Sequence, residues 1–412
     1  MAAQTFSNFS SDSQTYIAAQ TLMRIKRDVV VYGLGKKEKL PSRFSKTFQF
    51  TRYDKLLLPK VALTEGTTPS TNASVTITTV QAVMDQWGDY VNISDVADLT
   101  IKHPVMEQAI QLLSEQAAET IDRETISVLL ANTSVFYPGA ITARGSLATN
   151  SYFDTDTARK TIASLRGRGA QPYEGRMFMG LIDPYVEMDL SKDSTFQTAA
   201  SYSNILVLQN GEVGRWMGVR WMTSNLLPVL SRLAAVSTAS SAAAGGSLAN
   251  STTYYMKVTA VDNAIGFETA VTVEATQATG ASDEAIAITM PATTGFTYNV
   301  YFGDTTGVLY KAASLQDPGA VVTILAVPTS GATPPATPAA NVYVHFSWVL
   351  GKEAFSVPEL MSLQTFMTPR GASDSDPLSQ RRKASWKVMF KAVICNELFL
   401  ARIESASAFY TA

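Results

Sequence analysis

Apolar and polar positions alternate twice near the start of the chain. Phe44, Phe48 and Phe50 fall on one face of a stretch over residues 43–53, with Thr47, Gln49 and Thr51 on the other. Val75 and Ile77 alternate with Thr76 and Thr78 over residues 74–80. A period of two predicts a strand in each place. Roughly twenty residues with Pro59, Gly66 and Pro69 separate the two, and loops of that length usually have a job. Two readings stand: a floppy surface excursion, or a long two-stranded arm reaching a neighbouring subunit. The pattern then changes period. Val105, Ala109, Leu112, Leu113, Ala117, Ile121, Thr125, Val128 and Leu129 follow helical spacing after Pro104, which suits a first helical position. A helix over 104–132 would be ~42 Å long, far above the average helix of about 11–12 residues. Its single apolar stripe predicts that it lies along a sheet or another helix.

Shorter elements follow. Residues 157–166 read as a helix, with Asp154 and Asp156 at its favourable end. Residues 176–182 and 218–223 read as strands and 184–190 as a helix. This mixture predicts an α+β domain. Over 234–342 the character shifts, with two basic and seven acidic residues giving a net charge of −5 and leaving +3 for the rest. A Ser/Ala/Gly-rich stretch opens this segment and a Pro/Ala/Thr-rich stretch from 328 to 340 closes it, both read as linkers. Between them, strands are expected at 253–261, 268–274, 285–290, 297–302, 308–313 and 321–325. Turn signals roughly every ten residues give the spacing of a β-sandwich. The main domain resumes at 342–350 and closes with strands over 385–403, so the sandwich reads as an insertion at a loop tip.

Composition narrows the function more by exclusion. The net charge of −2 excludes a polycation built to coat nucleic acid. The N-terminus has neither the basic start nor the apolar core of a signal peptide, and no run of 18 apolar residues occurs. One cysteine, Cys395, allows no internal disulfide and no Cys-based metal cluster, and reads as a small buried residue. His103 and His345 form no metal-ligand spacing and read as capping or packing residues. Gly33-Leu34-Gly35 starts a dinucleotide fingerprint, but Glu38 stands where a third glycine is needed. No nucleophile elbow or phosphate loop occurs. No catalytic, metal or cofactor site is therefore expected, and the chain is not expected to be an enzyme. Residues 24–46 carry eight basic side chains against two acidic ones. Arg24, Lys26, Arg27, Lys36, Lys37 and Lys39 make this either a solvated surface or a charged arm against a neighbour or packaged DNA.

Certain local sequences are more specific. Leu63-Thr64-Glu65-Gly66 with Pro69, Gln86-Trp87-Gly88-Asp89-Tyr90 through Ile93-Ser94-Asp95, Gly211-Glu212-Val213-Gly214 with Gly218-Val219-Arg220, and Ser385-Trp386-Lys387 occur in that order. Together they resemble the major capsid proteins of tailed bacteriophages, in a podovirus-type branch of the Hong Kong-type fold. Tyr254-Tyr255-Met256-Lys257-Val258-Thr259-Ala260 and Tyr298-Asn299-Val300-Tyr301 give the inserted segment a likeness to immunoglobulin-like modules.

The resemblance implies an organisation. It runs N-terminal arm 1–37, extended two-stranded loop 38–92, peripheral domain 93–153 around a spine helix, and axial domain 154–233. The immunoglobulin-like sandwich 234–342 is inserted there, and 343–412 returns to the axial and peripheral domains. It also implies self-assembly into hexamers and pentamers, made in the host cytoplasm and ending as the icosahedral head around double-stranded DNA. The inserted module would lie outside. A separate scaffolding protein, a portal and a decoration protein are the further partners implied, with DNA contact non-specific and no membrane involved. Candidate intersubunit contacts are Arg43, Phe48, Phe50, Lys55, Lys60, Glu65, Val75 and Ile77. No motif identifies a crosslinking partner for Lys55 or Lys60. The rival class is an adhesin or glycan-binding surface protein carrying the β module; a third is an enzyme with an accessory sandwich.

Overall fold

The computed structural model describes residues 30–41, 43, 45–58, 62–66, 74–94, 105–173, 175–193, 215–241, 246–263, 265–367, 378 and 380–409. The chain forms two compact units, Met1–Leu129 with Glu353–Asn396, and Leu130–Lys352 with Glu397–Ala412. His103, Pro104 and the Gly211–Gly214 motif lie outside the described residues.

The first unit holds α1 (Val31–Leu34), β1 (Lys36–Lys39), β2 (Thr47–Tyr53), β3 (Ile77–Val83), β4 (Asp85–Ser94) and the long helix α2 (Val105–Leu129). From the later segment come β19 (Phe355–Met367), β20 (Arg381–Phe390) and β21 (Val393–Ile394). Its main sheet runs β1-β19-β20-β4, with β21 beside β19. Alternation along β20 buries Ala384, Trp386, Val388 and Phe390 on one face. The helix α2 packs on that face, where Trp386 Nε1 donates to Gln116 Oε1 at 3.2 Å. The buried stripe of α2 holds Ala109, Leu113, Ala117, Ile121, Ile126 and Leu129. Two positions depart from the sequence pattern. Leu112 is exposed, since it sits about 100° round the helix from Leu113, and Asp122 is buried within the stripe.

The strands β2 and β3 form their own two-stranded sheet, in continuous antiparallel register from Thr47↔Val83 to Tyr53↔Ile77. Phe48 and Ala82 at its root pack with Leu40, Met84, Leu360, Met389 and Val393. The flanking residues of β1 and β4 belong to the main sheet.

The second unit contains β5 (Val135–Phe136), α3 (Thr155–Gly167), β6 (Phe178–Ile182), α4 (Pro184–Lys192), β7 (Arg215–Trp216), β8 (Val219–Thr223) and β9 (Val229–Arg232). After the acidic segment come β18 (Val344–Leu350) and β22 (Leu400–Ser405). Phe153, Ile162, Leu165, Phe178, Val186, Leu190, Trp221 and Ile403 make one core with the two helices. Both helices start on aspartates, as carboxylates favour exposed N–H groups. Asp154 accepts from Thr157 N at 2.8 Å, and Asp183 accepts from Tyr185 N at 3.4 Å ahead of Pro184.

Within 234–342 lie β10 (Ser237–Ser241), β11 (Thr253–Asp262), β12 (Glu268–Val271), β13 (Ala275–Ala278), β14 (Ala285–Thr289), β15 (Phe296–Thr305), β16 (Val308–Gln316) and β17 (Val321–Ile324). One sheet is β10-β14-β17; the other carries β16, β15, β11, β12 and β13. Tyr254, Met256, Val258, Ile286, Ile288, Tyr298, Val300 and Phe302 fill the space between them. The flanks are not free linkers. The strand β10 pairs with β14 along its whole length, and Leu248 is buried in the core. Lys311 N donates to Ala332 O at 2.9 Å, and Thr337 Oγ1 donates to Thr272 O at 3.0 Å, so the Pro/Ala/Thr stretch is tied down. The strand β12 runs parallel to β9, Ala270 against Ser231 and Val271 against Arg232, which makes one continuous twelve-stranded sheet.

Candidate assembly surfaces

The hairpin β2–β3 is anchored at its root by Phe48 and Ala82, and further out Arg52 Nη1 donates to the Cys395 carbonyl oxygen at 3.5 Å. Arg52 Nε donates to Asp54 Oδ1 at 3.2 Å, and Thr78 Oγ1 donates to Asp54 Oδ2 at 2.8 Å, so the carboxylate ties the two strands where they leave register. The Phe48 and Phe50 rings meet at a tilt, with centroids 4.5 Å apart, on the half-buried face. On the other face Val75 is 61% and Ile77 52% exposed. Lys55 and Glu65 are exposed as well, while Lys60 lies outside the described residues. Arg43, at φ 72°, forms a turn before β2. The structure adds side chains that the sequence reading passed over. Leu57 and Leu63 are 87% and 79% exposed, with Tyr53, Leu56 and Leu58 close behind. The signal was available: three successive leucines between two strands have no core to enter.

The basic segment is different from an arm where it is described. Lys36, Lys37 and Lys39 lie in β1, in parallel register with Ser356–Glu359. Lys36 Nζ is 3.3 Å from Glu38 and 3.4 Å from Glu353, and Lys37 sits over the Tyr32 ring at 4.3 Å. These three lysines are therefore part of a strand, because their backbone completes the sheet edge. Gly35 makes this possible: an added Cβ would stand 2.6 Å from Val357 Cγ2. Arg24, Lys26 and Arg27 lie outside the described residues.

Just before β1 the chain is pinned to the long helix. Asp122 accepts from the backbone N–H groups of Val30, Val31 and Tyr32 at 3.0, 3.3 and 3.0 Å. Burial pushes this carboxyl up to about 6, against the pull of those N–H groups.

The buried polar groups of the second unit act as struts. Glu404, fully buried, takes two bonds from Arg144 and lies 3.0 Å from Arg402 Nη2. Arg402 Nη1 also donates to Leu130 O, and Arg144 Nη1 to Ala336 O at 3.3 Å. Both guanidiniums lie over the Phe346 ring. Burial lowers Arg402 from its ordinary value, and burial with Glu404 alongside raises the Tyr137 phenol. His345 packs fully buried, its Nδ1 2.6 Å from Asp183 Oδ2 and its ring edge-on to Tyr185. Cys395 is half-buried rather than buried, and burial pushes its thiol up to about 11, where it is a poor nucleophile. Among the described residues no group of three or more His, Cys, Asp or Glu is placed to hold a metal, and no helix is long and apolar enough to cross a membrane.

The comparisons place this architecture. The capsid structure of cyanophage P-SCSP1u matches 91% of this chain and 87% of its own, at 15% identity and TM-score 0.51. The acidic stable capsid of Helicobacter pylori bacteriophage KHP30 matches 89% and 87%, at 9% identity and TM-score 0.53. The capsid of Ralstonia phage GP4 matches 92% of each chain, at 10% identity and TM-score 0.50. A search of curated proteins finds no match. The fold is thus the Hong Kong-type α+β fold of these capsid structures. A model of the family described as phage capsid protein matches residues 77–324, well over half the sequence. The chain belongs to that family, as a structural component of a bacteriophage particle.

Proposed function

We propose that the chain is the repeating subunit of an icosahedral phage head, assembling as hexamers and pentamers around double-stranded DNA. Its mechanism is shape and many modest contacts, each small alone and summed on closure. The hairpin β2–β3 is the intersubunit arm. The observation that supports this most is its uncovered apolar tip, Leu56, Leu57, Leu58 and Leu63 with Val75 and Ile77 below. Fully burying a leucine yields about 1.5–3 kcal/mol, so a neighbour covering this tip gains much for little area. Phe48, Phe50 and Arg43 set the angle at which the arm leaves, and Lys55 and Glu65 carry charges that fix register on the neighbour. The β module 234–342 is an immunoglobulin-like insertion facing outward, in keeping with its net acidic character. Scaffold, portal and decoration proteins complete the assembly.

Light scattering on the purified chain tests the arm. Wild type is expected to yield large particles, and Leu57→Ser with Leu58→Ser is expected to hold the chain as small species with an unchanged melting transition. Particle formation by the double variant equal to that of wild type would count against the arm.

A further inference from the structure

The strands β7 and β8 are joined by a two-residue hairpin, and among the described residues no carboxylate pairs with the arginines around it. Met217 and Gly218 occupy its two turn positions at φ 53° and 77°, the left-handed geometry of a two-residue hairpin. That turn sets Arg215 directly opposite Arg220 in the register. Like charges in that relation destabilise a sheet. Two more arginines reach the same turn, Arg166 by its side chain and Arg176 by its backbone. An added Cβ at Gly218 would stand 2.8 Å from Arg166 Nη2 and 3.5 Å from the Arg176 carbonyl oxygen. All four side chains are exposed. Among the described residues none of the four pairs with a carboxylate, whereas Arg144, Arg159 and Arg402 all do. A fold that tolerates such crowding gains nothing internally from it.

We propose that this arginine cluster is a binding surface for the phosphodiester backbone of double-stranded nucleic acid. The proposal rests on the reading that the shell encloses DNA, and it names where the chain touches it. Guanidinium forks match phosphate oxygens, and their charge cannot be lost by deprotonation. The patch also lacks the apolar centre that a protein partner would use: among the described residues, no large hydrophobic side chain between Leu112 and Val273 is exposed. Backbone contact of this kind is indifferent to base sequence and sensitive to salt. It moves the nucleic-acid surface away from the N-terminal basic run to a rigid turn in the second unit.

The test is fluorescence anisotropy of the full-length, unassembled chain with a short fluorescein-labelled DNA duplex, over a series of salt concentrations. Arg215→Gln with Arg220→Gln is expected to weaken binding by at least ~tenfold at low salt and to flatten the salt slope by about two. Arg166→Gln with Arg176→Gln is a second, independent pair with the same expectation. Among the described residues these side chains make no hydrogen bond or ion pair, so melting curves should stay unchanged or rise. Arg24→Gln with Lys26→Gln and Arg27→Gln is expected to leave the slope as it is. If the N-terminal variant loses the slope and both arginine pairs keep it, the location is overturned and the DNA reading survives. If wild type shows no salt-dependent binding to the duplex, the enclosed-DNA reading falls with it. Tighter capture of polyglutamate than of the duplex would overturn the proposal in favour of an acidic protein partner.

Discussion

Arg144 and Glu404 meet through two parallel hydrogen bonds, Nε to Oε2 at 2.7 Å and Nη2 to Oε1 at 2.6 Å, although 260 residues separate them in the chain. Arg402 shares Oε1 from the other side. The carboxylate thus offsets two guanidiniums in a site that water scarcely reaches. Replacing Glu404 by Gln leaves both cations without their counter-charge, at a cost of about 3–5 kcal/mol. Chemical denaturation should show the second unit unfolding at lower denaturant. An unchanged midpoint would mean that the pair contributes nothing net.

Asp122 gives a pH dependence with a definite sign. Its folded-state value of about 6 lies above the ordinary 3.8, so folding favours the protonated form. The stability it contributes is fully present below the ordinary value and is lost as pH rises through about 6. The loss amounts to roughly 2 kcal/mol between pH 4 and 7. Melting of the chain across that window should fall with rising pH, and Asp122→Asn should flatten this component. A wild-type profile rising over the same window would contradict the assignment.

Gly88 shows why a glycine stands in Gln86-Trp87-Gly88-Asp89-Tyr90. A Cβ there would stand 2.6 Å from the Trp386 carbonyl oxygen, which is backbone of the paired strand and cannot turn aside. Gly88→Ala should therefore force β4 away from β20 and destabilise the first unit by roughly 1–3 kcal/mol. Thermal denaturation checks it. The neighbours anchor the same strand: Arg123 lies over the Trp87 ring, and Gln116 Nε2 donates to Asp89 at 2.7 Å.

In the β module, Glu268 Oε1 accepts from Thr259 Oγ1 at 2.8 Å, Asn299 Nδ2 at 2.7 Å and Tyr301 Oη at 2.6 Å. Burial and the carboxylate together raise the Tyr301 phenol strongly. Tyr301→Phe removes one donor to a charged acceptor and should cost roughly 1.5–3 kcal/mol, read as an earlier unfolding transition by near-ultraviolet circular dichroism.

Much of this architecture is legible in the sequence because it is carried by periodicity. The long helix, expected over 104–132, is found at Val105–Leu129, and the module strands fall near their expected places. The strands that were missed lack the signal. Ser237–Ser241 has no apolar alternation and is held through backbone pairing with β14. Lys36–Lys39 is entirely charged and completes a sheet edge against β19. The buried struts were invisible for another reason. Asp122 meets Val31 across 91 residues and Asp183 meets His345 across 162, and no local pattern encodes such a meeting. The leucines of the arm tip were visible as a run, but only the fold shows how far each stays exposed.

A chain that builds a phage head must close into a shell through its own surfaces. Negative-stain electron microscopy of the purified protein, expressed alone and with a scaffolding protein, tests it most directly. Closed isometric particles of uniform diameter are the predicted result. Only monomers and small dimers under both conditions would contradict it.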